Sequence, residues 1–224
     1  MDRSTSRMAN SFSPETIEAF RSIATASVAD AVEQFAARGY LSGTIRQVLP
    51  GKLVGPAVTV LEVPSPEPVP PEHALRAIDE SAPGSVVCIA AGGADVAVWG
   101  GLMSAGAVAN GVAGAVLDAG VRDIEEIRRD YPQFPVYARG GVPATTVGRY
   151  RTVSLNEPVE MGGTRVYPGD LIVADSDGVV CVPADRVPQV LEAAQEIERR
   201  EREQTALILE SGSLQGGLEK YHRI

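Results

Sequence analysis

Histidine is almost missing from this chain, with only His73 and His222 in 224 residues. Ser-His-Asp and Cys-His nucleophilic machinery and multi-histidine zinc sites are therefore poor fits. Any chemistry performed here rests on arginine, carboxylates, backbone amides and a hard cation. Cysteine is equally scarce. Cys88 and Cys181 sit inside the apolar runs "SVVCIAA" and "GVVCVPA", as small core residues do, and two buried thiols suit a reducing compartment. There is no extended basic run, and 20 Lys and Arg stand against 29 Asp and Glu, a formal charge of −9. That balance argues against binding a phosphate backbone, so no nucleic acid is expected as a partner. No apolar run approaches the length of a membrane span and no signal peptide precedes the first helical segment, so a cytoplasmic protein without a membrane partner is expected. Proline-rich or serine-rich linkers that would divide the chain are also lacking. Residues 1–12 read as a disordered leader, 13–211 as one α/β domain and 212–224 as a C-terminal tail.

What is present alternates between strand and helix patterns. Ser13-Pro14-Glu15 places an N-cap before a proline at the first helical position and predicts a short helix through Arg21. Ser27 and Asp30 have capping-box spacing, and the second helix is expected to run to about Arg38, ended by Gly39. "KLVGPAVTVLEV" (52–63) alternates like a strand, "PSPEPVPPE" is a surface loop, and "HALRAIDES" (73–81) is helical. "GSVVCIAAGG" (84–93) is a strand buried on both faces, and "ADVAVWGGLMSAGAVANG" (94–111) carries a glycine pair that opens a helix. A second buried strand, "VAGAVLD" (112–118), precedes the amphipathic helix "IEEIRRDY" (124–131) and the strand "FPVYAR" (134–139). This succession predicts a parallel βαβαβ core. The stretch from Thr152 to Pro183 predicts antiparallel strands, with "DSDG" (175–178) a turn rather than a calcium loop. From Pro183 to Ser211 a long charged helix follows, its thin stripe including Val190, Ile197 and Leu207, as in a helix that is solvated or packed on a neighbouring subunit.

In a parallel sheet the loops that leave successive strands gather at the carboxyl edge, where open α/β sheets bind ligands. Two segments should meet there: Trp99-Gly100-Gly101-Leu102-Met103 and the glycine-containing loop Asp118-Ala119-Gly120-Val121-Arg122-Asp123. The glycine pair frees the amides of Leu102 and Met103 to face an anion at a helix start. Arg122 offers a planar donor to carboxylate or enolate oxygens, and Asp123 a hard ligand for a divalent cation. The same residues also fit plainer duties, a close-packed turn for the glycines and a helix cap or surface pair for Arg122 and Asp123. Arg139 and Arg149 are candidates for a second carboxylate or for surface roles. No G-x-G-x-x-G arrangement supports a dinucleotide site.

Taken together, "VGPAVTV", "AVWGGLMSAGAVANGVAGAVLDAGVRDIEEI", "FPVYARG" and "YPGDLIVADSDGVVCVP" resemble the RraA-like / 4-hydroxy-4-methyl-2-oxoglutarate aldolase family over roughly residues 20–210. The resemblance implies an α/β domain of the swivelling β/β/α type, assembled as a homotrimer or hexamer. For catalytic members it implies a class II aldolase that cleaves 4-hydroxy-2-oxo acids to pyruvate and a second oxo acid, often with oxaloacetate decarboxylation, using Mg²⁺ or Mn²⁺. On that basis Gly100, Gly101, Leu102, Met103 and Arg122 bind the oxo acid, Arg122 stabilises its enolate, and Asp123 anchors the metal. A glutamate from the C-terminal helix of an adjacent subunit, best matched by Glu198, completes the metal shell. One departure stands out: the family pattern is Asp-x20-Arg-Asp, and its first position falls on Gly101. Members that act as ribonuclease E inhibitors lack parts of the metal set, so the resemblance also admits a non-catalytic ring that regulates a protein partner. A demethylmenaquinone methyltransferase label also occurs in the family, but the glycine-rich segment has no convincing adenosylmethionine-binding pattern.

Overall fold

The computed structural model describes residues 12–35 and 38–221. All of the expected leader except Phe12, and His222 with it, lie outside that range; Phe12 packs against the core. Two helices open the fold, α1 (Pro14–Arg21) and α2 (Thr25–Glu33), followed by strands β1 (Arg46–Leu49) and β2 (Leu53–Pro64). Strand and helix then alternate through α3 (Glu72–Glu80), β3 (Val86–Trp99), α4 (Gly101–Ala109), β4 (Gly114–Val121), α5 (Ile124–Asp130) and β5 (Val136–Ala138). Short strands complete the sheet region: β6 (Gly140–Gly141), β7 (Tyr150–Leu155), β8 (Val159–Met161), β9 (Thr164–Val166), β10 (Leu171–Asp175) and β11 (Gly178–Val182). The long helix α6 (Val187–Ser211) and α7 (Leu214–Tyr221) follow.

The main sheet runs β1-β5-β4-β3-β2-β10-β11. The inner strands β5, β4, β3 and β2 are mutually parallel, and β1, β7 and β10 add antiparallel to them. The architecture is thus the expected one: a parallel βαβ core, antiparallel additions and a long C-terminal helix. The sheet curls until β1 comes near β11, and the backbone of Leu41 bonds to Val179 at 2.9 Å. Every residue of β4 is buried, as a strand covered on both faces requires. Among the described residues no helix is long and apolar enough to cross a membrane.

Four local expectations are corrected. The Ser27–Asp30 capping box does not form, because α2 starts earlier: Ala24 is the N-cap, and the cap comes from distant carboxylates. The Ala24 N–H donates to Glu198 Oε1 (2.8 Å) and the Thr25 N–H to Asp175 Oδ2 (3.0 Å), while Ser27 is buried inside the helix. The helix also ends at Glu33, short of Arg38. Second, β3 does not stop at the Gly92-Gly93 pair. Those glycines adopt φ of +62° and +78°, and the strand passes through successive register shifts before ending at Trp99. Third, Gly120 is not a turn residue. β4 continues to Val121, and a Cβ on Gly120 would lie 2.5 Å from Val142 Cγ2, so close packing explains the glycine. Fourth, the first half of α6 packs on its own chain through Val187, Val190, Ala194 and Ile197, alongside Phe20 and Val28. Beyond Gly212, in the segment expected to be tail, α7 folds back so that Gly217 meets Gln204.

Candidate functional site

The extension of β3 and β4 is what builds the site. Trp99 and Val121 pair at the ends of these strands, so the residues that follow, Gly100 and Arg122, leave the sheet side by side. The Arg122 N–H donates to the Trp99 carbonyl at 3.0 Å and ties the two exits together. Behind them the Trp99 indole donates to Ser104 Oγ (2.9 Å), Ser104 Oγ bonds the Gly100 carbonyl (3.1 Å), and the Trp99 ring stacks on Phe134. The glycine loop is therefore held from below by a buried, satisfied network.

Asp123 follows with a left-handed backbone, φ 59°, a conformation that aspartate tolerates better than most residues. Its side chain does not cap its own helix, α5. It crosses instead to the start of α4, where Oδ2 accepts the Gly101 N–H at 2.9 Å and lies 3.7 Å from Arg122 Nε. The approach is so close that a side chain at position 100 would have to displace the Asp123 carboxylate, because a Cβ there would stand 2.7 Å from Asp123 Oδ2 and 3.2 Å from Arg122 Cγ. The next two amides of α4, on Leu102 and Met103, make no hydrogen bond among the described residues. They are the unsatisfied donors of a helix N-terminus, and they face the same space as Arg122.

That space is a cavity of about 280 Å³ lined by Gly100 to Met103, Arg122 and Asp123 together with Leu75, Thr145, Thr146 and Val147. The structure thus brings together six of the seven residues expected at the site. Arg122 and Asp123 also border a second cavity, lined in addition by Glu126, Val142 and Pro143. Leu102, at the rim of the first, largely apolar cavity, is 91% exposed. The contributions of α3 and of residues 145–147 were not legible in the sequence, because leucine, threonine and valine carry no chemical signature.

Glu198 stands apart within the chain. Its Oε1 accepts from Ala24 and from Ser27 Oγ (3.4 Å), and Oε2 pairs with Arg202. Arg139 is engaged elsewhere too, pairing at 2.6 Å with the buried Asp118, whose second oxygen accepts the Gly162 N–H at 3.2 Å. Arg149 donates to the Thr145 carbonyl (3.2 Å) behind the cavity wall. His73 is fixed at the start of α3 by Thr152 Oγ1, 2.9 Å from Nδ1. Both cysteines are buried and free, with the thiols pushed upward in pKa by burial, as inert core residues are.

A family model for RraA-like proteins, described as aldolase/RraA, matches residues 25–181. The chain belongs to the RraA-like family. Among its relatives, a Halalkalibacterium halodurans protein provisionally named 4-hydroxy-4-methyl-2-oxoglutarate aldolase is 34% identical over 195 residues, covering 83% of this chain and 87% of that protein. Protein DlpA of Legionella pneumophila is 30% identical over 93% of this RraA-like chain, which spans only 34% of DlpA's own length. The crystal structure of Streptomyces coelicolor RraAS2, an unusual member of the RNase ES inhibitor RraA protein family, superposes with a TM-score of 0.80 at 28% identity. That match covers 88% of this RraA-like chain and 99% of RraAS2.

Proposed function

We propose that this RraA-like protein is a metal-dependent lyase of 2-oxo acids, forming pyruvate through its enolate. Its reactions are retro-aldol cleavage of a 4-hydroxy-2-oxo acid, decarboxylation of oxaloacetate, or both. The observation that carries the reading is the convergence of Arg122, Asp123 and the free Leu102 and Met103 amides on one cavity. The substrate carboxylate is taken by the two amides, where the helix field favours an anion. Arg122 donates to the ketone oxygen and holds the charge that develops there as the C–C bond breaks; one well-placed donor of this kind is worth about 3–4 kcal/mol.

The donor chemistry fits a hard cation. Among the described residues no group of three histidine, cysteine or acidic side chains could hold a metal, and Asp123 is the carboxylate that lines the cavity. Mg²⁺ and Mn²⁺ suit such a set, since a hard ion of this size keeps several waters. Asp123 would hold the ion through the oxygen that Gly101 leaves unused, and Glu198 of a neighbouring subunit is the proposed completing ligand. When bound, the ion supplies Lewis-acid polarisation of the oxo acid. Aldol cleavage also needs a base for the substrate hydroxyl, whereas decarboxylation does not. With glycine at 101 the decarboxylation is the reaction less affected by the missing acid.

A homotrimer or hexamer is part of the same proposal, since contact with a second subunit would cover Leu102, which is 91% exposed in the single chain; a cytoplasmic setting is proposed with it. The test is pyruvate formation from oxaloacetate by purified protein with Mg²⁺, compared with Arg122→Ala. A metal-dependent rate that falls about 10²–10³-fold in the variant is expected. A rate at background, unchanged in the variant, rules the reading out. The second reading, a non-catalytic ring that regulates a protein partner, rests on the likeness to RraAS2 and on Gly101.

A further inference from the structure

The anchors assigned to the oxo acid use only part of the cavity. With the carboxylate at the Leu102 and Met103 amides and the ketone at Arg122, the rest of the substrate extends over the remaining lining. That lining includes Leu75, Thr146 and Val147. Leu75 and Val147 are 42% and 40% exposed, apolar surface left uncovered in the single chain. Among the described residues lining the cavity Arg122 is the one cation, and the ketone occupies it. Arg149 donates to the Thr145 carbonyl, and Arg139 is held by Asp118. The adjoining cavity adds Glu125 and Glu126 but no further cation. A second carboxylate on the substrate would therefore lose water without gaining a partner, and would meet other carboxylates. Thr146 supplies a different signal. It is 4% exposed, it lines the cavity, and its hydroxyl makes no hydrogen bond among the described residues. Buried hydroxyls are seldom left unpaired, and a hydroxyl on the ligand would provide the partner.

We propose that the substrate is a 4-hydroxy-2-oxo acid whose group beyond C4 is an uncharged alkyl chain, packed on Leu75 and Val147, with its 4-hydroxyl bonded to Thr146. The proposal rests on the lyase reading above and narrows its substrate class. Cleavage then releases pyruvate and an aldehyde, not a second oxo acid. The hydroxyl proton passes to water and the C3–C4 bond breaks. C4 becomes the aldehyde carbonyl, and the bonding pair forms the pyruvate enolate, which takes a proton at C3. No oxidant or reductant is consumed. Oxaloacetate ends at C4, so it has no group beyond that carbon on which this selection could act.

The experiment compares two compounds of matched shape, 4-hydroxy-5-methyl-2-oxohexanoate and 4-hydroxy-2-oxoglutarate, which carry isopropyl and carboxylate respectively at C4. Pyruvate formation is followed with Mg²⁺ present. kcat/KM is expected to favour the isopropyl compound by about 10²-fold, the scale set by a charge placed without a partner. Val147→Arg, at an exposed position, should lower that ratio about 10-fold or more by offering the carboxylate a cation. Thr146→Val should lower kcat/KM for both compounds about 10-fold, and Thr146→Ser should restore it. Equal rates, a preference for the glutarate, an unchanged ratio in Val147→Arg, or wild-type kinetics in Thr146→Val overturns the proposal and leaves the lyase reading standing. So does a Thr146→Ser protein no better than Thr146→Val, or cleavage of neither compound by protein that decarboxylates oxaloacetate. No pyruvate from any of the three substrates overturns both.

Discussion

Glu62 lies in β2 opposite Thr152 of β7, only 3% exposed, and neither of its carboxyl oxygens has a hydrogen-bond partner among the described residues. Burial without a compensating charge pushes its pKa from 4.5 up to about 7. The folded state thus keeps a proton that the unfolded chain has already released. The contribution is zero below about 4.5, where the group is neutral in both states. Stability is lost as pH rises toward about 7 and is constant above it. At about 1.4 kcal/mol per pH unit, the displacement corresponds to about 3 kcal/mol of destabilisation at neutral pH and above. Glu62→Met keeps an unbranched side chain of similar length and removes the titration. Denaturant unfolding followed by Trp99 fluorescence, at pH values from about 4.5 to about 8, compares the two proteins with all other groups held in common. The advantage of Glu62→Met should grow by about 3 kcal/mol across that interval. A difference constant to within about 0.5 kcal/mol would show that Glu62 finds a partner or water in solution, and the burial argument would fail.

Gly100→Ala tests the close approach at the site: the extended backbone at 100 accepts alanine, but its Cβ must push the Asp123 carboxylate off the Gly101 amide. We expect kcat/KM for oxaloacetate to fall about 10²-fold with the thermal midpoint nearly unchanged, and wild-type kinetics would refute the assigned geometry. Arg139→Ala should cost about 3 kcal/mol in denaturant unfolding, because it strands the buried Asp118 charge. If Asp118→Asn in the same background restores no stability, the loss is one of packing and not of pairing.

Much of the molecule was legible from residue order alone. Ser13 capping a helix with proline at its first position is a local rule, and α1 forms where it predicts, with the Thr16 N–H on Ser13 Oγ at 3.2 Å. The apolar runs around Cys88 and Val116 required strands covered on both faces, and the alternation of strand and helix required them to be parallel. That topology places Gly100 to Met103 beside Arg122 and Asp123. The sequence by itself therefore determined the fold class and most of the candidate site, because periodicity, caps and crossover connections act over a few residues.

Only the tertiary structure decided matters that depend on groups far apart in the chain. Ser27 and Asp30 have capping-box spacing, yet α2 is capped by Glu198 and Asp175, more than 140 residues away. Gly120 has the composition of a turn but lies within a strand, because Val142 leaves no room for a Cβ. Asp123 has the position of a helix cap but turns its carboxylate to another helix, since a left-handed backbone aims it at Gly101. Glu126 has the pattern of a surface glutamate, and only the packing of α5 against α4 brings its carboxylate within 3.4 Å of where a Cβ on Gly101 would stand. In each case a local preference worth about 1 kcal/mol yields to a contact set by the packing of whole elements, which residue spacing alone does not encode.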